Sequence, residues 1–122
     1  MPCTVNLFIF VSSFYEIRIM AKKNFTEEQE KLAHYNKALG HPVRVFIMEY
    51  LVKNASKCCY SGDMIENLPI ARSTLSEHLK ELKKAGFIQG EINPPYIKYC
   101  INKENWEEAK QMVMDFYSIN ND

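Results

Sequence analysis

The sequence lacks the features that mark several classes of protein. Its most apolar stretch, Val5 to Val11, is far shorter than the about 20 residues that a membrane helix needs. Basic and acidic residues number 15 each, so no net charge marks the chain as a general binder of nucleic acid. We find no phosphate-binding glycine loop and no acid–base dyad. We therefore expect no membrane partner, no required cofactor and no enzymatic activity.

Cysteine is scarce in this chain. The four cysteines, at positions 3, 58, 59 and 100, are too few and too unevenly spaced for a small secreted domain held together by disulfides. This pattern favours reduced thiols and a cytoplasmic location.

The composition is that of a folded chain with one domain. Apolar residues make up 47% and charged residues 25% of 122 residues. Residues 1–19 differ, because they are apolar and β-branched whereas a charged segment begins at Met20. Since Met20 is followed by Ala-Lys-Lys, we expect translation to begin there, which makes 1–19 a gene-start artefact and 20–122 the domain. The alternative is that residues 1–19 form a genuine extra strand or arm.

Hydrophobic periodicity predicts five helices and a β-hairpin. Thr26 is a suitable N-cap for the first helix, Ser61 for the third and Asn102 for the last. Gly86 lies where a helix C-terminus favours glycine. The predicted helices cover about 26–39, 43–51, 63–68, 71–85 and 102–117, and the predicted strands cover 87–92 and 96–101.

This order of elements, α-α-(β)-α-α-β-β-α, predicts a mostly α fold with a small β-wing, the winged helix-turn-helix. In that fold the second helix of the pair enters the major groove and the hairpin contacts the flanking backbone. Short hydroxyl, guanidinium and ammonium groups on this helix suit contacts with bases and phosphates, although a solvated surface is the simpler explanation. The candidate DNA-binding residues are Arg72, Ser73, Thr74, Ser76, Glu77, His78, Lys80, Lys83, Lys84 and, on the wing, Lys98.

Two motifs give the chain a family resemblance. Leu39 to Arg44 (LGHPVR) and Ser73 to Leu82 (STLSEHLKEL) resemble the opening and the recognition helix of the ArsR/SmtB family of metal- and metalloid-sensing repressors. The resemblance covers roughly residues 32–116. It implies a homodimer that binds a palindromic operator in double-stranded DNA until an inducer releases it. It also implies that the first and last helices form the dimer interface, with Leu32, Tyr35, Trp106, Val113 and Phe116 as candidates.

The chain departs from the family pattern in three places. The wing tip, Glu91 to Pro95, has no arginine, so Lys98 is the only basic residue of the wing. No histidine follows His78, which argues against the zinc site that some members have on the last helix. Arsenic-sensing members have a Cys-x-Cys pair at the start of the third helix, whereas this chain has the adjacent Cys58 and Cys59 just upstream.

The adjacent cysteines suggest an inducer site. In winged helices the segment before the third helix commonly pairs with the returning wing strand, which would bring Cys58 and Cys59 close to Cys100. Three thiolates suit trivalent arsenic or antimony, As(III) or Sb(III), and we predict these three residues as the ligands. Consecutive strand residues point to opposite faces, however, so both neighbours reach one ion only where the backbone is irregular.

Other interpretations of the cysteines stay open at this stage. One of the adjacent pair could join Cys100 in a site with two protein thiols. A redox or persulfide sensor could bond Cys58 or Cys59 to Cys100, with Lys57 lowering a thiol pKa. Buried cysteines are also common as small apolar residues. Finally, the domain could be a winged-helix protein-interaction module that has no inducer.

Overall fold

The computed structural model describes residues 24–55, 57–93 and 96–120, so the predicted leader 1–19 lies outside the described residues. The chain divides into two compact units, Met1–Ala33 and His34–Asp122. No helix in the described ranges has the length and apolar character that would let it cross a membrane. The elements are α1 Glu27–Ala38, α2 Pro42–Lys53, β1 Cys59–Tyr60, α3 Ser61–Ile65, α4 Arg72–Lys84, β2 Ile88–Asn93, β3 Tyr96–Ile101 and α5 Lys103–Tyr117. This order confirms the predicted winged helix-turn-helix.

Side-chain caps fix where three of the helices begin. Thr26 Oγ1 accepts a hydrogen bond from the backbone N–H of Gln29 at 3.0 Å, as predicted for the start of α1. His41 Nδ1 accepts a hydrogen bond from the backbone N–H of Val43 at 3.1 Å, and Pro42 is the first residue of α2. Asn102 Oδ1 accepts from the backbone N–H of Asn105 at 3.0 Å, as predicted for the start of α5.

The start of α3 differs from the prediction. Ser61 is the first helical residue and not the cap, and the helix ends at Ile65 instead of Leu68. The reason is that Tyr60 still has extended backbone angles as the last residue of β1, so it occupies the cap position without a side-chain hydrogen bond. The chain therefore passes from strand to helix with no residue between them.

The three strands form one antiparallel sheet in the order β1-β3-β2. Cys59 pairs with Tyr99 and Tyr60 pairs with Lys98, which confirms that the segment before α3 pairs with the returning wing strand. Because side chains alternate along a strand, each face of the sheet has its own set. The inner face carries the largely buried Cys59, Ile88, Tyr99 and Ile101, and the outer face carries Tyr60, Gln89, Glu91, Lys98 and Cys100.

The turn after α4 starts the wing. Gly86 has a φ of +88°, a left-handed conformation that favours glycine. The Asn105 side chain donates a hydrogen bond to the Gly86 carbonyl at 2.8 Å, and so ties α5 to this turn.

Phe87 lies at the centre of the core directly after this turn. It is fully buried, stacks on Tyr35 at 4.9 Å between ring centroids and meets the edge of Trp106 at 5.3 Å. Around it pack the buried residues of the central helices: Ile47, Met48, Leu51, Met64, Leu75, Leu79 and Leu82. One face of α4 is therefore held in the core, and the opposite face is left exposed.

Candidate nucleic-acid interface and the adjacent thiol pair

The exposed face of α4 carries most of the predicted DNA-binding residues. The buried face is set by Leu75, Leu79 and Leu82, which recur at helical spacing. The exposed members are Arg72, Ser73, Thr74, Ser76, Glu77, Lys80, Lys83 and Lys84. The structure therefore brings these predicted residues together on one accessible surface.

The lysines of this surface are engaged only weakly within the protomer. Lys80 lies 3.8 Å from Glu77 and Lys84 lies 3.4 Å from Glu81, and both pairs are largely solvated. Ion pairs of this kind contribute about 0–1 kcal/mol, so a phosphate can readily replace the glutamate. Lys83 instead extends towards β2, because a Cβ atom added at Gly90 would lie 3.4 Å from its Nζ.

His78 differs from the other predicted residues on α4. It is half-buried, its Nδ1 accepts a hydrogen bond from Arg44 Nε at 3.1 Å, and its ring lies 4.3 Å from that of His41. The side chain therefore packs against the start of α2 and is less exposed than its neighbours, and its predicted contact with DNA stays a prediction. His78 is half-buried because it lies at the edge of the helical stripe formed by the buried Leu75, Leu79 and Leu82.

We expect the stability of the protein to depend on pH because of the environment of His78. Burial, followed by the charges of His41 and Arg44, lowers the pKa of His78 below its ordinary 6.5. The folded state thus binds fewer protons than the unfolded state, and this group's contribution to stability falls as the pH drops from 6.5 through the lowered pKa. Chemical denaturation of wild type and His78→Asn from about pH 7.5 to about pH 5 checks this, since this range extends below the ordinary pKa of histidine. The variant should lose less stability on acidification, and equal losses in both proteins would contradict this assignment.

The wing contributes little positive charge to this surface. Lys98, the predicted wing contact, is half-buried, and its Nζ lies 5.7 Å from the centroid of the Tyr60 ring. Glu91 lies directly opposite Lys98 across the β2–β3 ladder. Pro94 and Pro95 of the tip lie outside the described residues.

A cleft of about 650 Å³ separates the start of α4 from the sheet. One wall is formed by Arg72 and Ser76 of α4, and the opposite wall by Tyr60 of β1 with Ile97 and Tyr99 of β3. The start of α3 closes one end, through Ser61, Gly62 and Asp63.

The structure brings two of the three predicted thiols together. Cys58 and Cys100 form a disulfide, with their Cα atoms 4.5 Å apart. Cys59 is buried at 6% exposure within the core and is not part of this group. The expected three-thiol set is therefore not assembled, because the chain is a regular strand at Cys59 and consecutive side chains point to opposite faces. The expectation of reduced thiols also differs from the structure, in which the pairing of Cys59 with Tyr99 brings the preceding Cys58 next to Cys100 and within bonding distance.

Cys59 has the environment of a structural residue. Burial raises the pKa of its thiol, Lys57 lowers it and Asp63 raises it, with a net upward shift. The activating effect expected from Lys57 is thus smaller than the cost of burying a charge. A raised pKa disfavours the nucleophilic thiolate.

Sequence reasoning missed Glu91 as a neighbour of the thiols. A carboxylate oxygen of Glu91 and the sulfurs of Cys58 and Cys100 all lie within 4.8 Å of one another. The available signal was alternation along the hairpin, since Cys100 pairs with Gln89 and Glu91 lies two residues further along the same face. Using that signal requires the pairing register of β2 and β3, which cannot be read from the sequence of a turn that contains Pro94 and Pro95.

The predicted dimer residues fall into two groups. Tyr35 is buried and its hydroxyl donates to a Glu108 carboxylate oxygen at 2.7 Å, while Trp106 packs on Phe87. These two side chains serve the core of the protomer. Leu32 and Val113 are half-buried, and Phe116 is 51% exposed.

Known proteins resemble this chain in sequence and in fold. The family model of bacterial regulatory proteins of the arsR family matches residues 41–89, which include α2, α4 and the first residues of the wing. An uncharacterized HTH-type transcriptional regulator of Methanocaldococcus jannaschii is 33% identical over 87 residues, covering 71% of this chain and 96% of the relative. The biofilm growth-associated repressor of Xylella fastidiosa is 26% identical over 100 residues, covering 82% of each protein.

A solved structure agrees with these sequence matches. The ArsR-like transcriptional regulator from Rhodococcus sp. RHA1 superposes with a TM-score of 0.60, at 18% identity, over 74% of this chain and 82% of that one. At this identity the likeness establishes a shared fold. Together with the family model and the M. jannaschii relative, it shows that this chain belongs to the arsR family of helix-turn-helix transcriptional regulators.

Proposed function

We propose that this protein is a cytoplasmic repressor that binds a palindromic operator as a homodimer, and that the Cys58–Cys100 pair senses its inducer. The observation that carries the proposal is the bond between these residues, because it links the residue before β1 to β3, and the neighbouring Tyr60 and Tyr99 line the cleft beside α4. In the reduced protein β1 and β3 are joined by their backbone pairing and by the contact of Lys98 with the Tyr60 ring. Oxidation adds a covalent restraint between these two segments.

The chemistry is that of a thiol-based redox sensor. Two thiols and an organic hydroperoxide give a disulfide, an alcohol and water, and with hydrogen peroxide the products are a disulfide and two waters. In both reactions the two thiols together lose two electrons and two protons. A persulfide can oxidise the same pair by taking up the two electrons and two protons, which gives a thiol and hydrogen sulfide. We expect the oxidised dimer to bind operator DNA less tightly, by the roughly 5- to 150-fold that allosteric coupling of about 1–3 kcal/mol gives.

Operator binding in the reduced and the peroxide-treated protein tests this proposal. Peroxide treatment should release the wild-type protein and the Cys59→Ala control from operator DNA. The Cys58→Ser and Cys100→Ser variants should stay bound to it. Release of both serine variants would contradict the thiol switch. An absence of salt-dependent DNA binding in every state would instead favour a protein-interaction module.

Trivalent arsenic or antimony is the second candidate inducer. The proximity of Cys58 and Cys100 favours it, since two thiolates on neighbouring strands can hold a thiophilic ion, with a solvent or small thiol as third ligand. Arsenite added to the reduced protein should then release DNA without any oxidant. No release by arsenite, together with release by peroxide, would leave only the redox inducer.

A homodimer is supported by apolar residues at the end of α5. Met114, Phe116, Tyr117 and Ile119 are 51% to 75% exposed, which is unusual for large apolar side chains so close together. We infer that the α5 helices of two protomers cover each other there. In sedimentation experiments the wild-type protein should be a dimer, and the Phe116→Glu variant should dissociate at higher protein concentration. Equal dimer stability of the two proteins would place the interface elsewhere.

Arg72 is proposed to read a base at the start of the recognition helix. Its guanidinium is exposed on the first residue of α4, where helices of this kind contact base edges. Arg72→Ala should weaken operator binding by about 1–3 kcal/mol and relax the preference at one base position, which is the effect of losing a bidentate contact. Lys53→Ala, on the end of α2, is the control and should change little. A uniform loss on specific and nonspecific DNA would show that Arg72 contacts only phosphate.

A further inference from the structure

We propose that the reduced protein holds a divalent, thiophilic cation of the zinc class between Cys58, Cys100 and Glu91 on the outer face of the sheet. The two sulfurs and a carboxylate oxygen of Glu91 lie within 4.8 Å of one another, with Glu91 on β2, Cys100 on β3 and Cys58 directly before β1. Because the sheet backbone fixes the strands, these three groups need only small side-chain rotations to face one point. The site takes its regulatory meaning from the proposed function, but its binding test needs no DNA.

The ligand set indicates the class of cation. Two thiolates and one carboxylate, completed by a water, form the four-coordinate N/O/S environment that zinc and cadmium accept. Trivalent arsenic has no need of the carboxylate, because it prefers sulfur. Glu91 therefore distinguishes the two kinds of ion, although both use the same sulfurs.

Charge and geometry around the three ligands are compatible with a cation. Two thiolates and a carboxylate carry three negative charges, of which a divalent cation neutralises two. Lys98 lies opposite Glu91 in the β2–β3 register and supplies a positive charge for the remaining one. Cys58 and Cys100 are half-buried and Glu91 is exposed, so the site has a partly desolvated base and an open side for entry.

The site and the disulfide exclude each other. A dithiol reductant gives two electrons and two protons to the Cys58–Cys100 bond and becomes a disulfide itself, which leaves two protein thiols. The cation then takes the place of the two thiol protons, which pass to solvent. Bound cation would protect the thiols from oxidation, so metal supply and oxidant would act on the same pair of residues.

Cobalt(II) titration of the reduced wild-type protein tests this inference, because thiolate-to-cobalt charge transfer and the intensity of the d–d bands report sulfur ligation and tetrahedral geometry. We expect one cobalt per protomer and displacement by zinc. Glu91→Gln should weaken cobalt and zinc binding at least about 10-fold, the scale on which loss of a supporting ligand acts, and should leave arsenite binding unchanged. Glu107→Gln, an exposed residue on α5, is the matched control.

The cysteine variants complete the test. Cys58→Ser and Cys100→Ser should each lose charge-transfer intensity, whereas Cys59→Ala should keep it. No cobalt binding, binding that depends on Cys59, or equal affinity of wild type and Glu91→Gln would overturn the site. The repressor proposal would survive each of these results. Conversely, cobalt could bind as expected while operator affinity depends on neither the metal nor the disulfide. That result would support the cation site and reject the proposed coupling of the Cys58–Cys100 pair to DNA binding.

Discussion

Replacing Phe87 by alanine is expected to lower the free energy of unfolding by about 3–5 kcal/mol, the range for deleting a buried aromatic ring. The ring is fully buried between Tyr35 and Trp106, which come from α1 and α5, while its backbone follows the Gly86 turn. The cavity left by the substitution would therefore lie where the terminal helices meet the start of the wing. Denaturation by urea, monitored through Trp106, measures the loss directly.

Phe116→Ala is the matched control for this substitution. It removes the same ring from a site that is 51% exposed, so the unfolding free energy of the protomer should change by less than about 0.5 kcal/mol. Any contribution of Phe116 to a dimer interface would vary with protein concentration, whereas the effect of Phe87 would not. Equal losses in the two variants at low concentration would contradict the central position of Phe87.

Removing the lysines of α4 is expected to have the largest effect on DNA binding. Lys80, Lys83 and Lys84 are exposed on α4, and the net charge of the chain is zero, so attraction to DNA has to come from such a local cluster. Changing all three to glutamine should reduce operator affinity by at least about 100-fold at low salt. The slope of log affinity against log salt should fall by roughly 0.9 for each lysine that contacts a phosphate.

A second triple variant controls for overall charge. Lys53, Lys103 and Lys110 are exposed on α2 and α5 and not on α4, and changing them to glutamine alters net charge by the same amount. This variant should keep nearly the wild-type affinity and salt slope. Equal weakening of both variants would mean that DNA attraction is not localised on α4.

Local sequence patterns were sufficient to predict most of the fold. The Leu75, Leu79 and Leu82 spacing, with Gly86 after it, predicts α4 to within one residue at each end, because burial of one helical stripe and a left-handed cap are both local requirements. The β3 range 96–101 was also predicted correctly. The start of α3 was not, since whether Ser61 caps the helix or begins it depends on how far β1 extends, and β1 exists only through its pairing with β3.

The candidate site could be predicted only in part for the same reason. That Cys58 and Cys59 lie near Cys100 followed from the expected strand pairing, but which of the two faces Cys100 depends on register. A shift of one residue exchanges the faces of a strand, and no local pattern fixes that register across the 42 residues that separate the bonded cysteines. The placement of His78 against Arg44 and the approach of Glu91 to the thiols are likewise long-range contacts.

The central claim is that the Cys58–Cys100 pair is energetically coupled to DNA binding through the strands beside α4. Its most direct measurement is the midpoint potential of this dithiol–disulfide couple in the intact protein, with and without saturating operator DNA. Coupling is reciprocal, so DNA that binds the reduced form better by about 1–3 kcal/mol should make the potential less negative by about 20–65 mV. A potential that is unchanged by operator DNA, or that becomes more negative, would contradict this account.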